Sequence, residues 1–166
     1  MAVTQDNLTA AFAGESQANR RYLAFAAQAE KDGYAVVARL FRAAADAETV
    51  HALAHLKAAK GVKDTVANLK AAIEGEGFEF QKMYPGFLQT AKSEGAPAAV
   101  ESFGNALQVE EIHFGLYAKA LEAVQNGDDL PDRAIYVCQV CGNTVWHVPV
   151  GCPVCGSPKT MFKKVD

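Results

Sequence analysis

Four stretches of this chain read at helical period, and each places a carboxylate on the stripe where a core residue belongs. In the first, Leu8, Phe12, Asn19, Tyr22 and Ala26 mark the inward spacing, and Glu15 falls on it. The second carries Leu40 or Phe41, then Ala44, and its stripe continues through Glu48, His51 and His55. The third runs through Leu69, Ala72 and Ile73 to Glu76, Glu79 and Met83; the fourth through Phe103 and Leu107 to Glu110, His113 and Tyr117. Chance explains one inward glutamate. It does not explain the ordered series Glu, Glu-x-x-His, Glu, Glu-x-x-His, because the intervals repeat: Glu15 to Glu48 and Glu76 to Glu110 match to within a single residue. The chain reads as a duplicated helical hairpin, each copy giving half of one site.

An unpaired buried carboxylate is costly and takes up a proton rather than stay charged. Carboxylates converging from four helices therefore call for a shared cation, and two divalent irons largely offset their charge. Residues three apart share a helix face, so Glu48 with His51, and Glu110 with His113, each project onto one metal. Single glutamates from two helices with Glu-x-x-His from the other two is the ligand pattern of ferritin-like di-metal bundles. His55 reads as a supporting or structural residue rather than a ligand. The symmetry breaks at Glu79, because the residue matching it in the first hairpin is Ala18. One iron thus sees an extra carboxylate. Glu79 either balances charge or exchanges with His51 as the oxidation state changes, the ferric ion preferring a carboxylate.

The alanine-rich helical pattern predicts helices over residues 4–32, 34–60, 64–94 and 97–126. Thr4 or Asp6 is the expected first cap, Gly33, Gly61 and Gly95 are the expected stops, and Pro85 should kink the third helix. Residues 1–127 then form the bundle, 128–133 a linker and 134–166 a separate small domain. That last segment loses the helical period and holds all four cysteines, as Cys138-x-x-Cys141-Gly and Cys152-Pro-x-Cys155-Gly. A disulfide framework would spread its cysteines across the fold, whereas two such knuckles give four thiolates to one zinc or iron. Zinc is the usual occupant, but beside a di-iron bundle a one-electron iron donor makes more chemical sense. Tyr136, Trp146 and Phe162 are candidates to pack around that ion. A net charge of -3 gives no sign of a nucleic-acid partner, and no apolar run reaches the length of a membrane span. The absence of a signal-peptide pattern points to the cytoplasm.

With both motifs in hand, nearly the whole chain resembles the rubrerythrins, a ferritin-like bundle fused to a rubredoxin-like domain. The matching stretches include Ala13-Gly14-Glu15-Ser16-Gln17-Ala18, Ala47-Glu48-Thr49-Val50-His51-Ala52 and Asn68-Leu69-Lys70-Ala71-Ala72-Ile73. Met83-Tyr84-Pro85, Glu110-Glu111-x-His113 and both cysteine pairs also match. The resemblance implies a mainly α fold with a small rubredoxin-like β/loop domain. It implies that Glu15, Glu48, His51, Glu76, Glu79, Glu110 and His113 bind two irons, that Tyr22 and Tyr84 hydrogen-bond the carboxylates, and that Cys138, Cys141, Cys152 and Cys155 hold a third. It further implies a peroxidase of oxidative-stress defence, drawing electrons from a nicotinamide nucleotide through a separate reductase. Phe80 departs from the pattern, since many relatives carry a polar residue or histidine there; no ligand role rests on it. The rival readings are iron oxidation and storage, which would not need the cysteines, and a structural zinc ribbon with adventitious metal at the carboxylates.

The connection between the hairpins, from Glu48 to Glu76, is short, and relatives with a full crossover have a longer interval. A ferritin-like bundle runs its second and third helices parallel, so the chain must climb back the bundle's length. At about 1.5 Å per helical residue that return is roughly 36 Å. The residues near 61–64 span only about 13 Å when extended. The expectation is a swapped homodimer, the first hairpin of one chain pairing with the second hairpin of another. A single-chain up-down-up-down bundle is the alternative.

Overall fold

The structure, a computed structural model, describes residues 3–165. It is mainly helical, with a small three-stranded sheet near the C-terminus. The chain divides into two compact units between Lys63 and Asp64.

The first unit is a helical hairpin of α1 (Val3–Lys31) and α2 (Ala35–Ala58). Its buried seam is made of small residues, Ala18, Ala26 and Ala29 against Ala38, Ala45 and Ala52, which let the two helices approach closely. Asn19 is buried among them, donating to the Ala45 carbonyl at 2.7 Å and to Thr49 Oγ1 at 2.8 Å. At the expected inward position of α2, Phe41 is half-buried and Leu40 exposed; Phe41 stacks with Tyr22 and Phe25. Since α1 is already helical at Val3, neither Thr4 nor Asp6 is its cap, and Asp6 instead lies in the first turn, where its charge suits the helix dipole. The end of α2 also departs from expectation. The left-handed residue there is Lys60 (φ 55°) rather than Gly61, and a Cβ on Gly61 would come closest to the movable end of the Leu56 side chain.

The second unit opens with α3 (Thr65–Phe78), capped by Asp64, whose carboxylate accepts from the Ala67 N–H at 2.9 Å. The expected long third helix is interrupted. A π-helical turn spans Glu79–Met83, and α4 (Tyr84–Ser93) follows, with α5 (Pro97–Gln125) returning alongside α3 and α4. The Tyr84 N–H reaches back to the Glu79 carbonyl, one residue further than in an α-helix, and Pro85 next to it has no N–H to offer. The disturbance expected at Pro85 is thus taken up just before it.

This turn explains an irregularity in the duplication. Tyr22, Phe25, Phe41, Glu48 and His51 find their counterparts at one constant offset, in Tyr84, Phe87, Phe103, Glu110 and His113. Glu15 and Ala18 find theirs, Glu76 and Glu79, at an offset shorter by one. The extra residue of the second hairpin lies in the π turn. The ring cluster of Tyr22, Phe25 and Phe41 is matched by one of Tyr84, Phe87 and Phe103, so the aromatic packing beyond the insertion is preserved.

After α5 come β1 (Ile135–Cys138), β2 (Thr144–Val145) and β3 (Phe162–Val165), in the order β2-β1-β3 and antiparallel throughout. Val137 lies opposite Thr144, and Cys138 opposite Phe162. Among the described residues no helix is long and apolar enough to cross a membrane.

Candidate metal centres

The four cysteines are free thiols gathered into one cluster. The Cys138 and Cys155 sulfurs are 3.8 Å apart, and those of Cys141 and Cys152 3.5 Å. With metal–sulfur bonds of about 2.3 Å, the corners of a tetrahedron are about 3.8 Å apart, so the cluster fits a single ion. The two knuckles fold alike. Cys138 N–H donates to the Asn143 carbonyl and Gly142 N–H to the Cys138 carbonyl; Cys152 N–H donates to Ser157 and Gly156 N–H to Cys152. Gly142 and Gly156 take left-handed backbone (φ 87° and 73°), which the following chain direction requires.

The thiols are tuned unequally. Burial pushes Cys152 up, but N–H groups of Cys155 and Val154 and the Asn143 amide outweigh it and hold the thiol at about 6. Burial likewise raises Cys155, and hydrogen bonds from Ser157 reverse the shift downward. Burial raises Cys141, against the Asn143 N–H. Asn143, buried and donating to Cys152 Sγ at 3.5 Å, carries no sequence signal beyond following a knuckle glycine. Tyr136 and Phe162 are half-buried, while Trp146 lines a cavity of about 380 Å³ together with Leu116 of α5 and Leu130.

Each hairpin gathers its own carboxylate–histidine group. Glu15, Glu48 and His51 converge in the first unit, and Glu76, Glu110 and His113 in the second, with the ligand atoms of each group within 4.8 Å of one another. Nδ1 of His51 lies 3.0 Å from Glu48 Oε2, and Nδ1 of His113 lies 2.9 Å from Glu110 Oε2. The i, i+3 spacing produces both pairs, and both leave Nδ1 facing the carboxylates. His55 is half-buried and stands outside the first group.

Such crowding of acids is unfavourable without a cation. Glu76 is pushed up to about 7 by burial, then by the charge and hydrogen bond of Glu110 and the charge of Glu79. Glu79 is raised by burial and by Glu110, partly offset by His113. It stands near the group without belonging to the converging three. Burial, and then Glu79, Glu110 and Glu76, raise the Tyr84 hydroxyl, so it stays protonated beside them. Tyr22 is half-buried against Phe25 and Phe41.

The Glu76 shift has a consequence for metal-free protein. The folded chain keeps a proton that the unfolded chain releases above its ordinary 4.5, so stability falls as pH rises from about 4.5 to about 7. Urea unfolding at a series of pH values, with zinc kept at the cysteines and the carboxylate sites empty, checks this. Glu76→Gln should flatten the slope.

Comparison with known proteins decides the family. The rubrerythrin family profile matches residues 6–121. This chain belongs to the rubrerythrin family. Among its relatives, rubrerythrin-2 of Clostridium acetobutylicum is 34% identical over 98% of this chain and 96% of that protein. Nigerythrin of Nitratidesulfovibrio vulgaris is 36% identical over 96% of this chain and 85% of its own length. The structure of nigerythrin in a mixed-valence state aligns with a TM-score of 0.57 at 31% identity, covering 99% of this chain and 88% of that one. The ferritin-like and rubredoxin-like parts expected from the residues are those of this family. The Glu48–His51 and Glu110–His113 groups and the four-cysteine cluster correspond to rubrerythrin iron centres.

Proposed function

We propose that this protein reduces hydrogen peroxide to two waters, consuming two electrons and two protons, at a di-iron site fed by the four-cysteine iron. The observation that carries the reading is that one chain holds both centres' donor sets: two carboxylate–histidine groups and a tetrahedral thiol cluster. When bound, the paired irons supply Lewis acidity and two electrons for the O–O bond, and the thiolate-bound iron returns electrons singly.

The side chains do the rest. Glu15, Glu48, Glu76 and Glu110, with His51 and His113, hold the ions and balance their charge. Glu79 stands beside the converging ligands, and a carboxyl of the site is the proton source in this reading. In this reading the Tyr84 hydroxyl, kept protonated by the acids around it, is the donor that orients the carboxylates, and Tyr22 is its counterpart by position in the other hairpin. Glu79 and His51 are the pair suited to trade places at one ion. His51 is exposed and bonded only through Nδ1 among the described residues, and Glu79 has no symmetry counterpart.

The working assembly is a homodimer with swapped hairpins, supported by the division of the chain at Lys63 and by each hairpin assembling only half of the ligands. The working domains are a bundle over 1–127, a linker over 128–133 and the cysteine domain over 134–166. Cytoplasmic peroxide defence, with a separate nicotinamide-dependent reductase as donor, is the corresponding role.

Metal analysis of protein purified without air, combined with peroxide consumption under an artificial electron donor, tests the reading. Three irons per chain, a red ferric chromophore and sustained turnover are expected. Uptake of iron into a mineral without turnover would indicate storage, and colourless zinc at the cysteines a structural ribbon; either result overturns the peroxidase.

A further inference from the structure

His113 differs from its counterpart His51 in having both ring nitrogens engaged. Nδ1 faces the ligand carboxylates, 2.9 Å from Glu110 and 3.9 Å from Glu76, while Nε2 stands 3.0 Å from Thr144 Oγ1 in β2. Thr144 Oγ1 is in turn 3.1 Å from the Gly142 carbonyl oxygen. A carbonyl only accepts, so the single hydroxyl proton is committed to Gly142 and a lone pair is left for the ring. With a metal seated between Nδ1 and the carboxylates, the Nδ1 lone pair is taken by the ion, and Nε2 carries the imidazole proton and donates it to Thr144 Oγ1. That is the tautomer a metal needs.

The hydroxyl is itself placed by the cysteine fold. Gly142 follows Cys141 directly, and the loop from 141 to 144 is pinned by the Cys138 N–H to Asn143 bond (2.9 Å), the Gly142 N–H to Cys138 bond (2.9 Å) and the Asn143 amide on Cys152 Sγ. A metal on the four sulfurs fixes that loop, and with it the acceptor for His113. Among the described residues His51 has no such partner.

We propose that Thr144 is a positioning residue for His113, setting its tautomer and ring orientation, and that through it filling the four-cysteine site strengthens metal binding at the Glu76–Glu110–His113 half-site. This rests on the reading of His113 as a metal ligand. It makes the two centres thermodynamically linked, each raising the other's affinity.

The test uses the full-length protein with zinc in the cysteine site and cobalt(II) titrated into the bundle. Thr144→Val should lose about 10–100-fold in affinity for one of the two cobalt ions, the range typical of removing a ligand's hydrogen-bond partner, and Thr144→Ser should recover most of it. Nitrogen-15 spectra of protein filled with zinc at every site should show the His113 proton on Nε2 in wild type and Thr144→Ser. Withdrawing metal from the cysteines should weaken cobalt binding in wild type and not in Thr144→Val. Equal cobalt affinity in wild type and Thr144→Val, a proton on Nδ1, or equal loss in both proteins when the cysteine site is emptied would overturn the proposal while leaving the peroxidase reading intact. Wild-type protein that takes no cobalt into the bundle would overturn both.

Discussion

Mixing two inactive variants should restore activity. Glu48→Ala disables the first hairpin's half-site and Glu110→Ala the second's, so each variant alone should lose essentially all peroxide turnover. If hairpins are exchanged between chains, a mixed dimer pairs the intact first hairpin of one variant with the intact second hairpin of the other. One of its two sites is then whole. Random reassortment of equal amounts makes about half of the dimers mixed, so roughly a quarter of wild-type turnover should return after joint unfolding and refolding. In a single-chain bundle every site keeps one lesion and nothing returns. The result does not depend on small energy differences, because the swap changes which ligands share a site.

The second large effect concerns the cysteine module. Cys138→Ala removes a buried cysteine sulfur at the end of β1, opposite Phe162. Chemically reduced bundle should still be oxidised by one equivalent of peroxide, since its own ligands are untouched. Steady turnover should collapse, by more than the roughly 10–100-fold that loss of a mere neighbour of a metal ligand brings. Stopped-flow oxidation set beside steady-state consumption separates the two. Parallel loss of both would mean that the cysteine module supports the bundle structurally rather than supplying it.

The ligand set is legible in the sequence because it follows from local geometry. Glu48 with His51, and Glu110 with His113, need only an α-helix to share a face, and the knuckle cysteines need only their own loops. Helix limits are legible within a few residues where Asp64, Gly33 and Gly95 punctuate the chain. The π turn at Glu79–Met83 is not, although the slightly longer interval from Glu76 to Glu110 than from Glu15 to Glu48 already holds its trace. Proline predicts a disturbed ladder without saying whether the chain bends or widens by one residue. Thr144 carries no signal at all. Its role depends on the cysteine module folding back onto α5 from far along the chain, and a single threonine at a strand start has no periodicity to mark it. Lys60 in a left-handed conformation beside an available glycine is similarly unreadable, because nothing in the local sequence says which of the two residues takes it.

One extra peptide unit in the π turn has a consequence for a protein built from duplicated halves. In an α-helix each added residue rotates everything beyond it by about 100°, which would carry Tyr84 and its neighbours off the inner face. The wider turn absorbs that rotation locally, so the scaffold stays a near repeat while the turn itself begins at Glu79, where the first hairpin has only Ala18. Duplication alone yields interchangeable partners. The insertion gives each half a distinct identity, at the cost of a single residue and without rewriting the ligand code.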